Sequence, residues 1–420
     1  MMASNLLLIL IFSIGYLAII LEYGLRLNKS AVALLMMVLC WSTFCFEGGS
    51  CLVGVLGSLN HHLSEVSQIL FFLLGAMTLV ELIDSHKGFH SFVATIKTPS
   101  RRQLLWTLSL LTFFLSAVLD NLTTTILMIS ILRKLLPQEK ERFLYLCIVV
   151  VAANAGGAWT PIGDVTTTML WIGGQVTTFE VIRTLITPSL LSLLIPLLWF
   201  SFQMRGTFEE LGHPTDEERE PGSRLVFYCG MLLFLFVPLF KAVTGLPPFM
   251  GMLISLAIMW VITDILHYRY EQRHHLRVPH ILTKIDVSSI LFFLGILLSV
   301  SALERTGLLA EGATWLSSHV KSEAIVATAI GCVSAIIDNV PLVAATMGMY
   351  PMSAYPPDSP LWLMIAYAAG TGGSLLVMGS SAGVALMGME RVTFFSYFKK
   401  MTLPVAVGYL AGMALYVALS

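Results

Sequence analysis

Ser116-Ala117-Val118-Leu119-Asp120-Asn121 interrupts an apolar segment with an acid and an amide, and further along the chain the pattern returns as Ser334-Ala335-Ile336-Ile337-Asp338-Asn339. The surrounding stretches, Leu104 to Leu136 and Glu323 to Tyr350, are too long or too interrupted for one simple membrane helix. Each reads as a re-entrant hairpin with Asp-Asn at its tip, entering and leaving on the same side of a bilayer. Two full crossings joined at Asp120 would leave arms well short of the roughly 20 residues that a span needs.

Working outward, the two halves of the chain echo each other. Glu65-Val66-Ser67-Gln68-Ile69-Leu70-Phe71-Phe72-Leu73 returns as Asp286-Val287-Ser288-Ser289-Ile290-Leu291-Phe292-Phe293-Leu294, an offset of 221. The hairpin tips repeat at 218, and Gly156-Gly157, Gly163, Phe179 and Pro188 repeat at 216 as Gly372-Gly373, Gly379, Phe395 and Pro404. Apolar stretches mark about ten transmembrane spans, near 5–25, 31–53, 66–84, 142–176, 186–204, 225–243, 248–267, 287–304, 360–390 and 400–419. The spans near 142–176 and 360–390 carry glycine-rich breaks. The expected organisation is a first repeat over 1–204, with a hairpin at 103–136 and a broken helix at 142–176. An acidic, proline-containing linker over 205–224 precedes a second repeat over 225–420, with a hairpin at 322–350 and a broken helix at 360–390. Five crossings per repeat is an odd number, so the second copy lies upside down, as in inverted-repeat secondary transporters. The fold class expected is therefore an all-α polytopic membrane protein.

Composition agrees. The chain has 420 residues, 56% hydrophobic and 12% charged, where soluble proteins carry about a quarter charged residues. Mean hydropathy is +0.83. A soluble enzyme is excluded, and a net charge of -1 offers nothing to attract nucleic acid. With the hairpins placed as above, 20 of the 24 Lys and Arg residues fall on one side; Arg183, Lys241, Arg305 and Lys321 remain on the other. The positive-inside rule makes the first side cytoplasmic and puts both termini outside. The run Leu6 to Leu21 lacks a basic flank and a small-residue cleavage site, so it reads as a retained first span. Six scattered cysteines form no CxxC pair, and the ten histidines lie in loops or near span ends. Neither set suggests a metal centre, and no cofactor is expected.

Broken helices at membrane depth must line a cavity or be buried in protein, because hydrocarbon cannot satisfy free backbone groups. The breaks hold Asp120, Asp164 and Asp338, each costing on the order of 3 kcal/mol at mid-membrane. Capping of a half-helix N-terminus is one reading of such residues, for Asp120 and Asp338 in particular, where Asn would serve without a charge; a direct ion or proton role is the other. Oxygens suited to a small hard cation come from Asp120, Asn121, Thr124, Asn154, Asp164, Thr166, Thr167, Ser380 and Ser381. A carboxylate that holds either a proton or a cation gives exchange without further machinery. No Lys or Arg occurs in the four breaks, which argues against an anion as cargo. Glu81, with Asp84 and His86 at the end of the third span, reads equally as a headgroup-zone residue and as a functional acid.

Read together, Leu119-Asp120-Asn121-Leu122-Thr123-Thr124-Thr125, the stretch from Ala153-Asn154-Ala155-Gly156-Gly157 to Asp164-Val165-Thr166-Thr167, and Ile337-Asp338-Asn339-Val340-Pro341-Leu342 resemble the signatures of NhaD-type sodium/proton antiporters. These belong to the ion transporter superfamily, which also contains dicarboxylate, citrate and arsenite carriers. The likeness runs from about Ala31 to Pro404, and Val80 to Phe89 resembles the family's third-span ending. It implies exchange of Na+ or Li+ for H+, with polar roles at Glu81, Asp120, Asn121, Asn154, Asp164, Thr166, Thr167, Asp338, Asn339, Ser380 and Ser381. The cation would sit among Asp120, Asn154, Asp164 and Thr166. The resemblance also implies a homodimer with a scaffold and a moving transport domain, in a bacterial inner membrane. An anion carrier of the same superfamily is the alternative, and a membrane enzyme or structural membrane protein a third.

Overall fold

The computed structural model describes residues 2–20, 27–44, 52–88, 98, 100–208, 220–320, 322–336, 338–390 and 392–420. Their regular structure is helical, apart from one isolated bridge between Ser100 and Thr207. The chain forms an all-α polytopic membrane protein. Seven of the described helices are long and apolar enough to cross a bilayer.

In chain order the first helices are α1 (Met2–Ile20), α2 (Lys29–Thr43) and α3 (Leu52–Ser85). The first hairpin is α4 (Arg101–Ser116) and α5 (Asn121–Leu135), followed by a broken pair α6 (Glu139–Ala158) and α7 (Val165–Ile172). Next come α8 (Thr178–Gln203), α9 (Ser223–Thr244), α10 (Pro248–His267), α11 (Val287–Arg305) and α12 (Leu308–His319). The second hairpin is α13 (Glu323–Ser334) with α14 (Asn339–Met349). A second broken pair, α15 (Pro360–Gly372) and α16 (Ser381–Met389), leads into α17 (Phe394–Leu419).

The hairpin arms hold 16 and 15 residues in the first and 12 and 11 in the second. At 1.5 Å per residue the longest reaches about 24 Å, short of the roughly 30 Å hydrocarbon layer. The third span differs from its expected start at residue 66, because α3 begins at Leu52. Hydropathy marks where lipid ends, whereas backbone hydrogen bonding continues through Asn60 and His61, which carry no helix breaker. The linker expected over 205–224 falls largely on 209–219, outside the described residues.

Two groups of helices pack internally. In one, α2 lies along α11 and α1, α10 lies along α3, and α9 packs on α10. Lipid tails are as apolar as leucine, so specific polar contacts and close fit hold such helices together. Trp41 donates its indole N–H to the Leu298 carbonyl at 2.8 Å, and the Ser30 hydroxyl donates to the Ser288 carbonyl at 2.7 Å, joining α2 to α11. In the other group, α4 and α5 pack on α6, α13 packs on α15, α5 meets α16, and α8 lies along α17.

Contacts in this second group recur at the repeat offsets. Ser116 Oγ donates to the Ala153 carbonyl at 2.7 Å, and Ser334 Oγ to the Ala369 carbonyl at 3.3 Å. A Cβ added at Gly156 would stand 2.2 Å from the Phe113 carbonyl oxygen, and one at Gly372 would stand 2.3 Å from that of Gly331. Each glycine lets a hairpin's first arm lie backbone to backbone on the broken helix beside it.

The ends of α5, α6 and α16 are tied by an ion cluster in which Glu390 and Arg142 are buried. Glu390 accepts from Arg142 Nη2 at 2.8 Å and from Arg133 Nε at 2.7 Å, while Arg142 Nη1 donates to the Pro137 carbonyl at 2.6 Å. Burial works against the Glu390 charge, but bonds from Arg142 and Arg133 outweigh it and hold the carboxyl below its usual value of 4.5. The stabilisation is therefore full above the unfolded-state value and lost as pH falls through the lower folded one. Glu390→Gln leaves a buried guanidinium without its counter-charge, a loss of about 3–5 kcal/mol. Thermal unfolding in detergent should show a clear fall in Tm for this variant and none for Glu311→Gln on exposed α12.

Candidate functional site

The first break lies between α6 and α7. Pro161 has no N–H to continue the helical ladder, and the chain turns over 159–164 before α7 begins. Thr168 Oγ1 donates to the Pro161 carbonyl at 2.9 Å, and Thr160 Oγ1 to the Ala117 carbonyl of the hairpin turn at 2.5 Å. Side-chain hydroxyls thus satisfy carbonyls that the breaks set free.

Asp164 stands at the N-cap of α7 but its side chain makes no capping bond. Instead the carboxylate, 2% exposed, collects donors from three elements. Thr166 Oγ1 donates to Oδ2 at 2.9 Å; Asn121 Nδ2 approaches Oδ1 at 3.4 Å, and Asn339 Nδ2 approaches Oδ2 at 3.4 Å. Asn121 and Asn339 are the first residues of α5 and α14, so the two hairpin tips present one amide each to the two oxygens of a single carboxylate.

Asn154 extends the network. Its Oδ1 accepts from Asn121 at 3.0 Å, and its Nδ2 donates to Ser374 Oγ and Ser380 Oγ, both at 2.8 Å. Ser380 caps α16 by accepting from the Gly383 N–H at 3.2 Å. At the offset of 216, Asp164 corresponds to Ser380 and Asn154 to Gly370. A Cβ at Gly370 would lie 2.8 Å from the Ala158 Cβ and 3.3 Å from Asp164 Oδ2. One half supplies the acid and amide, and the other supplies the small residue that makes room for them.

The other two aspartates are caps. Asp120 accepts from the Thr123 N–H at 2.8 Å and from its hydroxyl at 2.7 Å, and Asp338 accepts from the Val340 N–H at 3.3 Å. Both line a cavity of about 300 Å³ bounded by α3, α5, α7, α11 and α16, together with Asp286, Ser381 and Lys29. A second cavity of about 280 Å³ lies further along α3, α7, α11 and α14, lined by His62, Glu65, Gln68 and Glu304 among others. Leu73 of the first cavity's wall and Met169 of the second's belong, with Ile296 and Val340, to one packed apolar cluster.

Residues 16–364 match a family described as Citrate transporter. The chain is 52% identical over 97% of its length to Sodium/proton antiporter 1 of Arabidopsis thaliana, covering 71% of that protein. To Sodium/proton antiporter 2 of the same plant it is 50% identical, with 97% of this chain and 98% of the relative covered. Na(+)/H(+) antiporter NhaD of Alkalimonas amylolytica is 32% identical over 98% of this chain and 90% of its own length. The chain belongs to the NhaD-type sodium/proton antiporter family.

Among the residues singled out from this NhaD-type sequence, the structure brings Asn121, Asn154, Asp164, Thr166, Asn339 and Ser380 into one bonded network. Thr124 and Thr167, in the first turns of α5 and α7, are buried with hydroxyls that have no partner. Such oxygens call for an explanation in a native fold. Of the expected grouping of Asp120 with Asn154, Asp164 and Thr166, the last three are bonded together, whereas the Asp120 oxygens accept from Thr123. Ser381 and Asp338 face the cavity, whereas Glu81 sits apart, accepting from Ser85 at 3.1 Å with Lys284 at 3.9 Å.

Two residues join the site that the sequence reading left out. Ser374 lies inside the broken helix expected over 360–390, directly after Gly372-Gly373, so its place there was the available signal. Lys29 gave none: its pattern is that of a loop-flanking basic residue, yet its ammonium lies 3.9 Å from Asp338 Oδ2. The breaks themselves lack a cation, but the cavity beside them holds one.

Proposed function

We propose that the protein exchanges Na+ or Li+ for H+ by alternating access, with Asp164 binding cation and proton in turn. The observation that carries this reading is the single buried carboxylate met by an asparagine amide from each hairpin tip. Asn121, Asn154, Thr124, Thr166, Thr167, Asn339 and Ser380 would supply the remaining oxygens, and Asp120, Asp338 and Ser381 the cavity wall through which the ion enters. A carboxylate held only by neutral donors carries a full charge that one bound monovalent ion cancels, so occupancy by Na+ and by H+ excludes each other. The relatives are named transporters, which fits a carrier with no enzymatic step and no cofactor.

In this reading residues 1–204 and 225–420 are inverted repeats joined by 205–224, and the protein works as a homodimer in a multi-pass arrangement with both termini outside. The named relatives come from a plant and from bacteria. The bacterial inner membrane is thus one of two settings, and the topology is the same in either.

Purified protein in proteoliposomes carrying an internal pH dye tests the exchange. Adding Na+ or Li+ should dissipate an imposed acid-inside gradient, and K+ should not. No response to either ion from pH 6 to 9 would sink the proposal. Lys29 in the cavity and the family description favour a second reading, an anion carrier. Uptake of labelled citrate or of a dicarboxylate, without Na+-driven proton movement, would support it instead.

A further inference from the structure

Lys29 is held in place from both sides. Asn28 caps α2 by accepting from the Ser30 N–H at 2.8 Å, and the Ser30 hydroxyl donates to the Ser288 carbonyl on α11 at 2.7 Å. The Lys29 ammonium lies 4.7 Å from the centre of the Phe292 ring, also on α11. The lysine is therefore anchored to α2 and α11, whereas Asp338, its partner at 3.9 Å, belongs to the tip of the second hairpin. Both side chains are partly solvated, at 30% and 23% exposure.

The charged groups facing this cavity among the described residues are Lys29, Asp120, Asp286 and Asp338. Tyr16 of α1 is a further titratable group near Asp338. Asp120 and Asp286 are each engaged by a neighbouring residue of their own helix start, Thr123 and Ser289. Asp338 makes one long capping bond and keeps Oδ2 turned to the ammonium. A cation entering this cavity meets this oxygen with a tethered cation beside it.

We propose that Lys29 is a built-in counter-cation that competes with the transported cation for Asp338, lowering the apparent affinity for it and releasing the second hairpin when displaced. The inference rests on the exchange reading, and adds a positioning residue that lies outside the hairpins and broken helices. A lysine serving this way neutralises the hairpin tip while the cavity is empty of cargo, so the acidic wall need not be left uncompensated.

The test uses the full chain in proteoliposomes, with wild type, Lys29→Gln, Lys29→Met and Lys29→Arg compared. Lys29→Met keeps an apolar stem and removes the charge, and with it the ammonium's contact with the Phe292 ring. Both neutral variants should show a KM for Na+ about ten-fold lower, the effect of removing one competing charge from a partly screened pocket. The Na+ concentration giving half-maximal thermal stabilisation in detergent should fall in parallel, and Lys29→Arg should stay close to wild type. Unchanged constants in the neutral variants, or a reduced maximal rate with KM unaltered or raised, would overturn the inference. So would loss of folded protein in both neutral variants with Lys29→Arg intact, which makes the lysine a structural partner. Absence of Na+- or Li+-driven flux in the wild type marks failure of the exchange reading instead.

Discussion

Replacing Asp164 with Asn is expected to abolish cation-driven proton exchange, with initial rates at least about 100-fold below wild type at every Na+ concentration, a rise of about 2.7 kcal/mol or more in the transport barrier. The amide has nearly the shape of the carboxylate but binds neither a proton nor a cation in exchange. Its fold cost is small. Of the donors now facing Asp164, from Thr166, Asn121 and Asn339, the new oxygen can keep only some and the new NH2 group opposes the rest. The penalty is roughly that of one or two hydrogen bonds, about 1–3 kcal/mol. Asp164→Asn protein should therefore insert and purify while its dye signal stays flat on adding Na+ or Li+. Asp120→Asn is the informative partner. Asparagine caps a helix as well as aspartate does, so any loss there reports the charge facing the cavity, separately from the turn of the first hairpin. Retention of wild-type exchange by Asp164→Asn would remove the central residue from the proposal.

The second large effect concerns the backbone approach that positions the site. Gly156→Ala places a methyl carbon 2.2 Å from the Phe113 carbonyl oxygen, and Gly372→Ala places one 2.3 Å from that of Gly331. Neither contact can be relieved by turning a side chain, so the hairpin's first arm must move away from the broken helix. A cost of about 3 kcal/mol, the upper end for overpacking, is expected for each. Because the two glycines occupy matching places, the two variants should fall in Tm by similar amounts. Gly388→Ala is the control: no atom lies within 4 Å of its added Cβ, and alanine favours a helix. Its Tm should be unchanged or slightly raised. Tolerance of alanine at 156 and 372 would contradict the packing described for the two hairpins.

Much of this architecture was legible in the chain. The Asp-Asn tips, the glycine-rich breaks and their return at offsets of 221 to 216 located both hairpins and both broken helices to within a few residues. They did so because lipid admits few solutions for a backbone, and an interruption such as Gly156-Gly157 with Pro161 stands out against apolar surroundings. The start of α3 was not legible, since a helix can continue past the lipid with polar residues such as Asn60 and His61 on its surface. The division of labour among the three aspartates was only partly legible. Asp120, Asp164 and Asp338 share the same kind of position before a helix start; the sequence suggests capping for Asp120 and Asp338, but leaves an ion or proton role open for all three. The structure separates two that spend oxygens on capping from one that does not.

The sequence by itself determined the solvent and the places where the helices break, because hydropathy and turn chemistry are local properties that each residue carries with it. Only the tertiary structure decided which polar groups meet. Asn121 and Asn339 converge on Asp164 although far apart in the chain, Asn154 reaches Ser374 and Ser380 in the other half, and Lys29 faces Asp338 across two helix groups. Each meeting depends on how packed helices cross. That geometry arises from the fit of many buried surfaces at once, and no single stretch of residues encodes it.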